Sequence, residues 1–209
     1  MAAPSPPDKK IWKMFWDLQC PYSKKNWAAF NSSIKDKFRD DFDFKIYLTS
    51  LAFHPQAFLA QCGASLVETY KGRSSLLKYV DTCFNNQDSY MNSAVGDARK
   101  SEIVQIFADI AEKAGVLDEN DDEEGEEGDD TSKMLLTKSK FIQEINDWEK
   151  AIKPAYTEHK IALGFAVYGT PKHVIDEKLI NDTESDWTAD DWMEKLHNEG
   201  LLSNKKLKV

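Results

Sequence analysis

The sequence predicts an α/β fold in three blocks: a β-α-β opening, a run of helices, and a β-β-α close. Three observations carry this expectation. Ile11–Leu18 (IWKMFWDL) is a dense aromatic and apolar run of strand length, and it stops at Gln19-Cys20-Pro21. Phe42, Phe44, Ile46 and Leu48 alternate with Asp43, Lys45, Tyr47 and Thr49, the period of a strand. His173-Val174-Ile175 and Lys178-Leu179-Ile180 flank Asp176-Glu177 as the two arms of a hairpin.

Between the first two strands, residues 22–38 show helical spacing through Trp27, Phe30, Ile34 and Phe38. Pro21 suits the first turn of that helix, where its missing N–H is not needed. From Pro55 to Leu117 the spacing predicts several helices. Their stripes are Phe58/Cys62/Leu66/Tyr70, Leu76/Leu77/Val80/Phe84, and Ile103/Ile106/Phe107/Ile110, the last stopping at Gly115. Leu135, Phe141, Ile145, Trp148 and Ile152 predict a further helix, which Pro154 should end or kink. Helix should resume over 155–163. Thr188 is a good N-cap for a closing helix through Trp192, Met193 and Leu196, ending near Gly200.

Composition narrows the function classes. The chain has 209 residues, 41% of them hydrophobic, with 11 Phe, 7 Tyr and 6 Trp, which is ample for a packed core. The net charge of −9 is local: Asp118–Asp130 holds ten acids and no base, and without it 26 acids face 27 bases. That run reads as a solvated, mobile acidic loop over 118–130; it lacks the spacing of a calcium site. No basic stripe suits a phosphate backbone, and Lys205, Lys206 and Lys208 read as a solubilising end, so no nucleic-acid partner is expected. No apolar run approaches the ~18 residues of a spanning helix, so no membrane partner is expected. Met1–Lys10 shows no secretory h-region, and Cys20, Cys62 and Cys83 are too scattered for a disulfide framework. The expected compartment is the reducing cytoplasm.

Cys20-Pro21-Tyr22-Ser23 is the motif with chemistry in it. A cysteine at a helix start meets the helix's positive end and its free N–H groups, which stabilise a thiolate. Lys24 and Lys25 add positive charge, and the Ser23 hydroxyl, one turn on, is placed to donate to the sulfur. The competing reading is a buried cysteine acting as a small hydrophobe. A Cys-Pro pair between an aromatic strand and a helix favours the reactive one. Asp17 reads either as a proton acceptor beneath the thiol or as a solvent-facing strand end. Trp12, Trp16 and Trp27 read as core or as the lining of a groove. His54, His159, His173 and His197 lack metal-ligand spacing, so no metal is expected. Cys62 and Cys83 lie on apolar helical stripes and read as core.

Three segments together resemble the DsbA-like branch of the thioredoxin-fold superfamily: FWDLQCPYSKKNW (15–27), FHPQAFLA (53–60) and GFAVYGTPKHVI (164–175). The resemblance implies a thioredoxin core made of residues 10–53 and 160–203, with a helical insertion over 54–159. It implies that Pro171 is cis and faces Cys20, and that the Thr170 backbone pairs with an extended substrate. The implied catalytic pair is Cys20 and Ser23; Pro21, Tyr22, Thr170 and Pro171 form the substrate-binding set. The sequence departs from the family's Cys-x-x-Cys, because Ser23 stands where the resolving thiol would be. Cys-Pro-Tyr-Ser is similar to motifs of glutaredoxins, and Ser-Pro-Tyr-Ser to kappa-class glutathione transferases. The resemblance, with its departure at Ser23, implies a monothiol thiol-disulfide oxidoreductase. Its expected partners are thiol or disulfide substrates, with glutathione as co-substrate and no tightly bound cofactor. The alternative is a redox-inactive protein that binds extended peptides or thiol partners in the same groove.

Overall fold

A computed structural model describes residues 9–119 and 135–202. Most of the expected acidic loop therefore lies outside the described residues. Its two ends are defined: Asp118 and Leu136 exchange hydrogen bonds, the Asp118 N–H to the Leu136 carbonyl at 3.0 Å and the Leu136 N–H to the Asp118 carboxylate at 2.7 Å.

Four strands form one sheet in the order β2-β1-β3-β4: β1 (Lys10–Trp16), β2 (Phe42–Leu48), β3 (Lys172–Ile175) and β4 (Lys178–Ile180). β1 runs parallel to β2 and antiparallel to β3, and β3 runs antiparallel to β4. β1 is central, and side chains on both its faces are buried. Trp12, Met14 and Trp16 join the main core, while Phe15 joins a smaller cluster with Ala162, Val167 and Val174. A strand covered on both sides reads as a continuous apolar run, as 11–18 does.

The first helical stretch is α1 (Pro21–Ala29), a π-helical turn (Phe30–Ile34) and α2 (Lys35–Phe38). The helices after β2 are α3 (Ala57–Lys71), α4 (Arg73–Asn85), α5 (Asn92–Val95), α6 (Lys100–Lys113) and α7 (Lys138–Glu144). A second π-helical turn (Trp148–Ile152) leads into α8 (Lys153–Gly164), and α9 (Ala189–Asn198) closes the described chain. Two expectations need correction here. The helix expected through Leu135–Ile152 breaks at residues 145–147, where the Asp147 side chain accepts the Lys150 N–H at 2.9 Å and starts a new turn. Pro154 ends nothing; it sits in the first turn of α8, where no N–H is missed. α8 runs unbroken across residues 159–160.

The close of the chain keeps the expected order. Asp176 and Glu177 both take positive φ, 45° and 67°, as a tight two-residue hairpin requires. Thr188 caps α9 reciprocally with Asp191, each engaging the other's backbone N–H. Trp192 of α9 packs on Trp12 and His173 at ring separations of 4.7 and 4.5 Å. His173 accepts the Trp12 indole N–H at 3.0 Å, and burial holds its ring neutral, pushing its pKa down to about 3.

The helical block is tied to the free edge of β2. The Leu48 N–H donates to Glu158 of α8 at 2.8 Å, and its carbonyl accepts from Gln61 of α3 at 2.7 Å. The Ile46 carbonyl accepts from Arg73 of α4 at 2.9 Å. Each bond satisfies an edge group that would otherwise invite another strand.

Candidate functional site

Cys20 is the last extended residue before α1, with φ −79° and ψ 122°, and Pro21 opens the helix. No side chain caps this helix end, so the first-turn N–H groups face the Cys20 side. The thiol donates to the Thr170 carbonyl at 3.3 Å, across 150 positions of chain. The Thr170–Pro171 peptide bond is cis. The fold thus brings Cys20, Pro21, Thr170 and Pro171 to one place. Tyr22 lies beside them, 58% exposed, with the Lys25 ammonium 5.9 Å from its ring. The Thr170 hydroxyl is buried without a hydrogen-bond partner.

Ser23 is present but differently employed than expected. Its hydroxyl accepts the Asp17 N–H at 3.1 Å and makes no hydrogen bond to the sulfur. The side chain is fully buried against the turn that precedes the helix. Cys20 itself is only 3% exposed, so the sulfur is not at the open surface that a helix start suggests.

Asp17 fits neither role expected of it. It is completely buried, and its oxygens serve backbone N–H groups and His54 rather than thiol or solvent. Oδ1 accepts the N–H groups of Gln19 at 2.7 Å and Cys20 at 3.1 Å. Oδ2 accepts the Leu51 N–H at 2.8 Å and lies 2.9 Å from His54 Nδ1. Burial raises its pKa, while the Leu51 N–H and His54 oppose the rise. The carboxylate therefore clamps the Cys20 turn to the loop after β2.

A set of side chains that spacing did not single out completes this turn. Gln19 donates to Gln56 and to Asn92, each at 2.7 Å. Gln87 donates to the carbonyls of Leu18 and Cys20 at 2.9 and 3.1 Å, and the Tyr90 hydroxyl also donates to Leu18 at 2.8 Å. All of these partners come from the helical block.

Trp12, Trp16 and Trp27 do not line a groove at the sulfur; they are 0, 0 and 5% exposed and belong to the core. The exposed aromatic rings are others. A cleft of about 620 Å³ lies beside Val167 and Tyr168 and is walled by Leu51, His54, Phe58 and Tyr156. Tyr168 is 77% exposed, and Phe53, stacked edge-on against His54, is 67% exposed. Cys62 and Cys83 are buried and unpaired. Burial pushes the Cys62 thiol up to about 12, with Lys100 pulling weakly the other way, and pushes the Cys83 thiol higher still. Among the described residues no group of three or more His, Cys, Asp or Glu side chains is arranged to hold a metal, and no helix is long and apolar enough to cross a membrane.

No protein-family model and no curated protein matches the chain. Solved structures do. A Pseudomonas syringae protein provisionally named a protein-disulfide isomerase has a TM-score of 0.65 at 15% identity, over 90% of this chain and 93% of that one. BdbD from Bacillus subtilis has a TM-score of 0.57 at 18% identity, over 91% and 86%. MdbA from Corynebacterium diphtheriae, a thiol-disulfide oxidoreductase, has a TM-score of 0.57 at 14% identity, over 94% and 84%. At such identities the likeness is one of architecture: the chain has the DsbA-like thioredoxin fold, a thioredoxin-type sheet interrupted by a helical insertion.

Proposed function

We propose that the protein is a monothiol thiol-disulfide oxidoreductase that works through Cys20 with glutathione as co-substrate. The observation that carries this reading is the sulfur's position: at the start of α1, 3.3 Å from the carbonyl of the residue preceding Pro171. MdbA, a solved structure of the same fold described as a thiol-disulfide oxidoreductase, supports the class of chemistry. The state of the other thiols supports the single-cysteine route. A resolving cysteine must reach the mixed disulfide as a thiolate. Cys62 and Cys83 are buried in the insertion with thiols held far from ionisation, and Ser23 carries no sulfur.

In the proposed cycle Cys20 gives its proton to solvent, and the thiolate attacks the glutathione sulfur of a mixed disulfide, R–S–S–G. The R–S⁻ group leaves and takes a proton from water, so Cys20 now carries glutathione as a disulfide. A second glutathione thiolate attacks that glutathione sulfur. The products are glutathione disulfide and the Cys20 thiolate, and the net reaction reduces R–S–S–G to R–SH. Pro21 and Tyr22 on one side, and Thr170 and Pro171 on the other, frame the sulfur. We assign the R group to the aromatic cleft whose Tyr168 lies two residues before Thr170. Ser23 and Asp17 act as positioning residues, holding the turn from which the sulfur projects. Chemistry of this kind places the protein in a glutathione-rich, reducing compartment, and the cytoplasm is the one we propose.

One observation favours a second reading. The 3% exposure of Cys20 suits a thiol that captures a partner, or merely faces one, without turnover. Turnover of a small glutathione mixed disulfide in the presence of glutathione decides between them. Catalysis by the wild-type chain, lost in Cys20→Ser, supports the oxidoreductase. Equal rates for the two proteins leave the binding protein as the correct reading.

A further inference from the structure

A second cleft, of about 530 Å³, opens where the free edge of β2 meets α1, α2 and α4. Its volume is that of small-molecule sites, roughly 300–1,000 Å³. Its floor is apolar. Trp27 and Phe30 show the outer edges of core rings there, and Phe44, Ile46 and Leu77 complete it as partly buried side chains. Cys20 takes no part in lining it, and neither does any residue of the Tyr168 cleft.

The rim is charged unevenly. Lys35 of α2 and Lys78 of α4 are both exposed, and among the described residues neither pairs with a carboxylate. Arg73 closes the third side, fixed by its bonds to the Ile46 carbonyl and to Glu68. The one acid on the rim, Asp81, already serves the Trp27 indole N–H at 2.9 Å and the Asn85 amide at 3.0 Å. Three cations thus stand against one anion on the rim of an apolar floor; Arg73 is paired with Glu68, and among the described residues Lys35 and Lys78 pair with no carboxylate. A neutral apolar ligand would leave that field unanswered. A polyanion would find little to hold its further charges and would sit on an apolar bed.

We propose that this cleft binds a small amphipathic carboxylate, a medium-length acyl or aromatic acid. Its apolar body lies against Trp27, Phe44 and Leu77, and its carboxylate lies between Lys35 and Lys78. The site is independent of Cys20 and of the proposed redox activity.

Isothermal titration of the full chain with sodium octanoate tests it, with 1-octanol as the uncharged counterpart. Saturable one-site binding of octanoate is expected, with 1-octanol weaker. Lys35→Glu combined with Lys78→Glu should weaken octanoate at least about tenfold, since two attractions become repulsions. Leu77→Trp, which fills the floor, should remove binding while leaving the charges in place. Tyr168→Ala, in the other cleft, should leave the octanoate affinity unchanged. The proposal is overturned if octanoate fails to saturate, if 1-octanol binds as tightly, or if the double charge reversal leaves affinity unchanged. It is also overturned if Tyr168→Ala abolishes binding, which would move the ligand to the other cleft.

Discussion

Asp17→Ala removes the acceptor at the centre of the Cys20 turn. Four contacts are affected: the N–H groups of Gln19, Cys20 and Leu51, and His54 Nδ1. They are not lost equally. The Cys20 N–H keeps the Asp17 carbonyl at 3.1 Å, which any residue at 17 supplies. His54 is partly exposed and can turn to water. The Gln19 N–H loses its acceptor in a buried site and the Leu51 N–H in a part-buried one, at about 1–3 kcal/mol each. Against this, the variant no longer buries a carboxylate whose pKa is raised mainly by desolvation. The balance is a loss of about 2–4 kcal/mol, a large share of a domain stability of ~5–15 kcal/mol. At about 2–4 °C per kcal/mol for a chain of this size, the melting temperature should fall by roughly 4–16 °C. His54→Ala removes only one hydrogen bond of the clamp and should cost less than half as much. Thermal unfolding followed by circular dichroism measures both. An Asp17→Ala variant melting within about 2 °C of wild type would refute the clamp, because one unmet buried N–H alone should cost more. So would a His54→Ala loss as large as that of Asp17→Ala.

Four further outcomes are expected elsewhere in the molecule. Gly63→Ala should destabilise by about 1–3 kcal/mol in urea unfolding, because a Cβ there would press on the buried Tyr79 hydroxyl and come within 2.9 Å of Phe141. Deleting residues 120–130 should leave the melting temperature nearly unchanged, since Asp118 and Leu136 already hold the segment's ends together and a shorter loop is no harder to close. Burial raises Glu158 from 4.5 to about 7, so the folded state favours its proton; this burden is absent below pH 4.5, grows as pH rises to about 7, and is complete above it. Glu158→Gln should therefore gain on wild type by up to about 3 kcal/mol between pH 4.5 and 8 in paired denaturation curves, less whatever solvent screening removes. Replacing Cys62 and Cys83 together by Ala should leave any glutathione-dependent turnover intact, and a loss of turnover with the fold retained would show that one of them is a resolving thiol.

How much of this was legible in the sequence varies with the range of the interaction. β1 was readable as a continuous apolar run buried on both faces, and β2 because its burial follows the pleat. The closing helix was readable because Thr188 and Asp191 cap it locally. The break at 145–147 was open to the same kind of reading, since Asp147 is an N-cap type placed three residues before the N–H it binds. The pull of Pro154 as a helix breaker hid it. The π-helical turns at Phe30–Ile34 and Trp148–Ile152 left no mark, because one extra residue per turn barely disturbs an apolar stripe over so short a span. The meeting of Cys20 with Thr170 was invisible to spacing. Only the likeness of three separate segments to one family suggested it.

Asp17 shows where local reading stops. A carboxylate three residues before a cysteine looks the same whether it faces water, a thiol or backbone. Its surroundings are decided by the Leu51–His54 loop, 34 to 37 positions away. The same holds for Leu18, Gln19 and Cys20, whose polar groups are met by Gln56, Gln87, Tyr90 and Asn92. These partners are drawn from the helical block, and the turn they surround belongs to the sheet-bearing part of the chain. If the block were removed, the Leu18 carbonyl would lose its bonds from Gln87 and Tyr90, and the Cys20 carbonyl would keep only the helical bond from the Lys24 N–H. The insertion is therefore part of what aims the cysteine. A network in which every buried member is satisfied resists piecemeal change. A substitution at Gln87 or Tyr90, in the insertion and on neither wall of the sulfur, should disturb Cys20 as directly as one beside it.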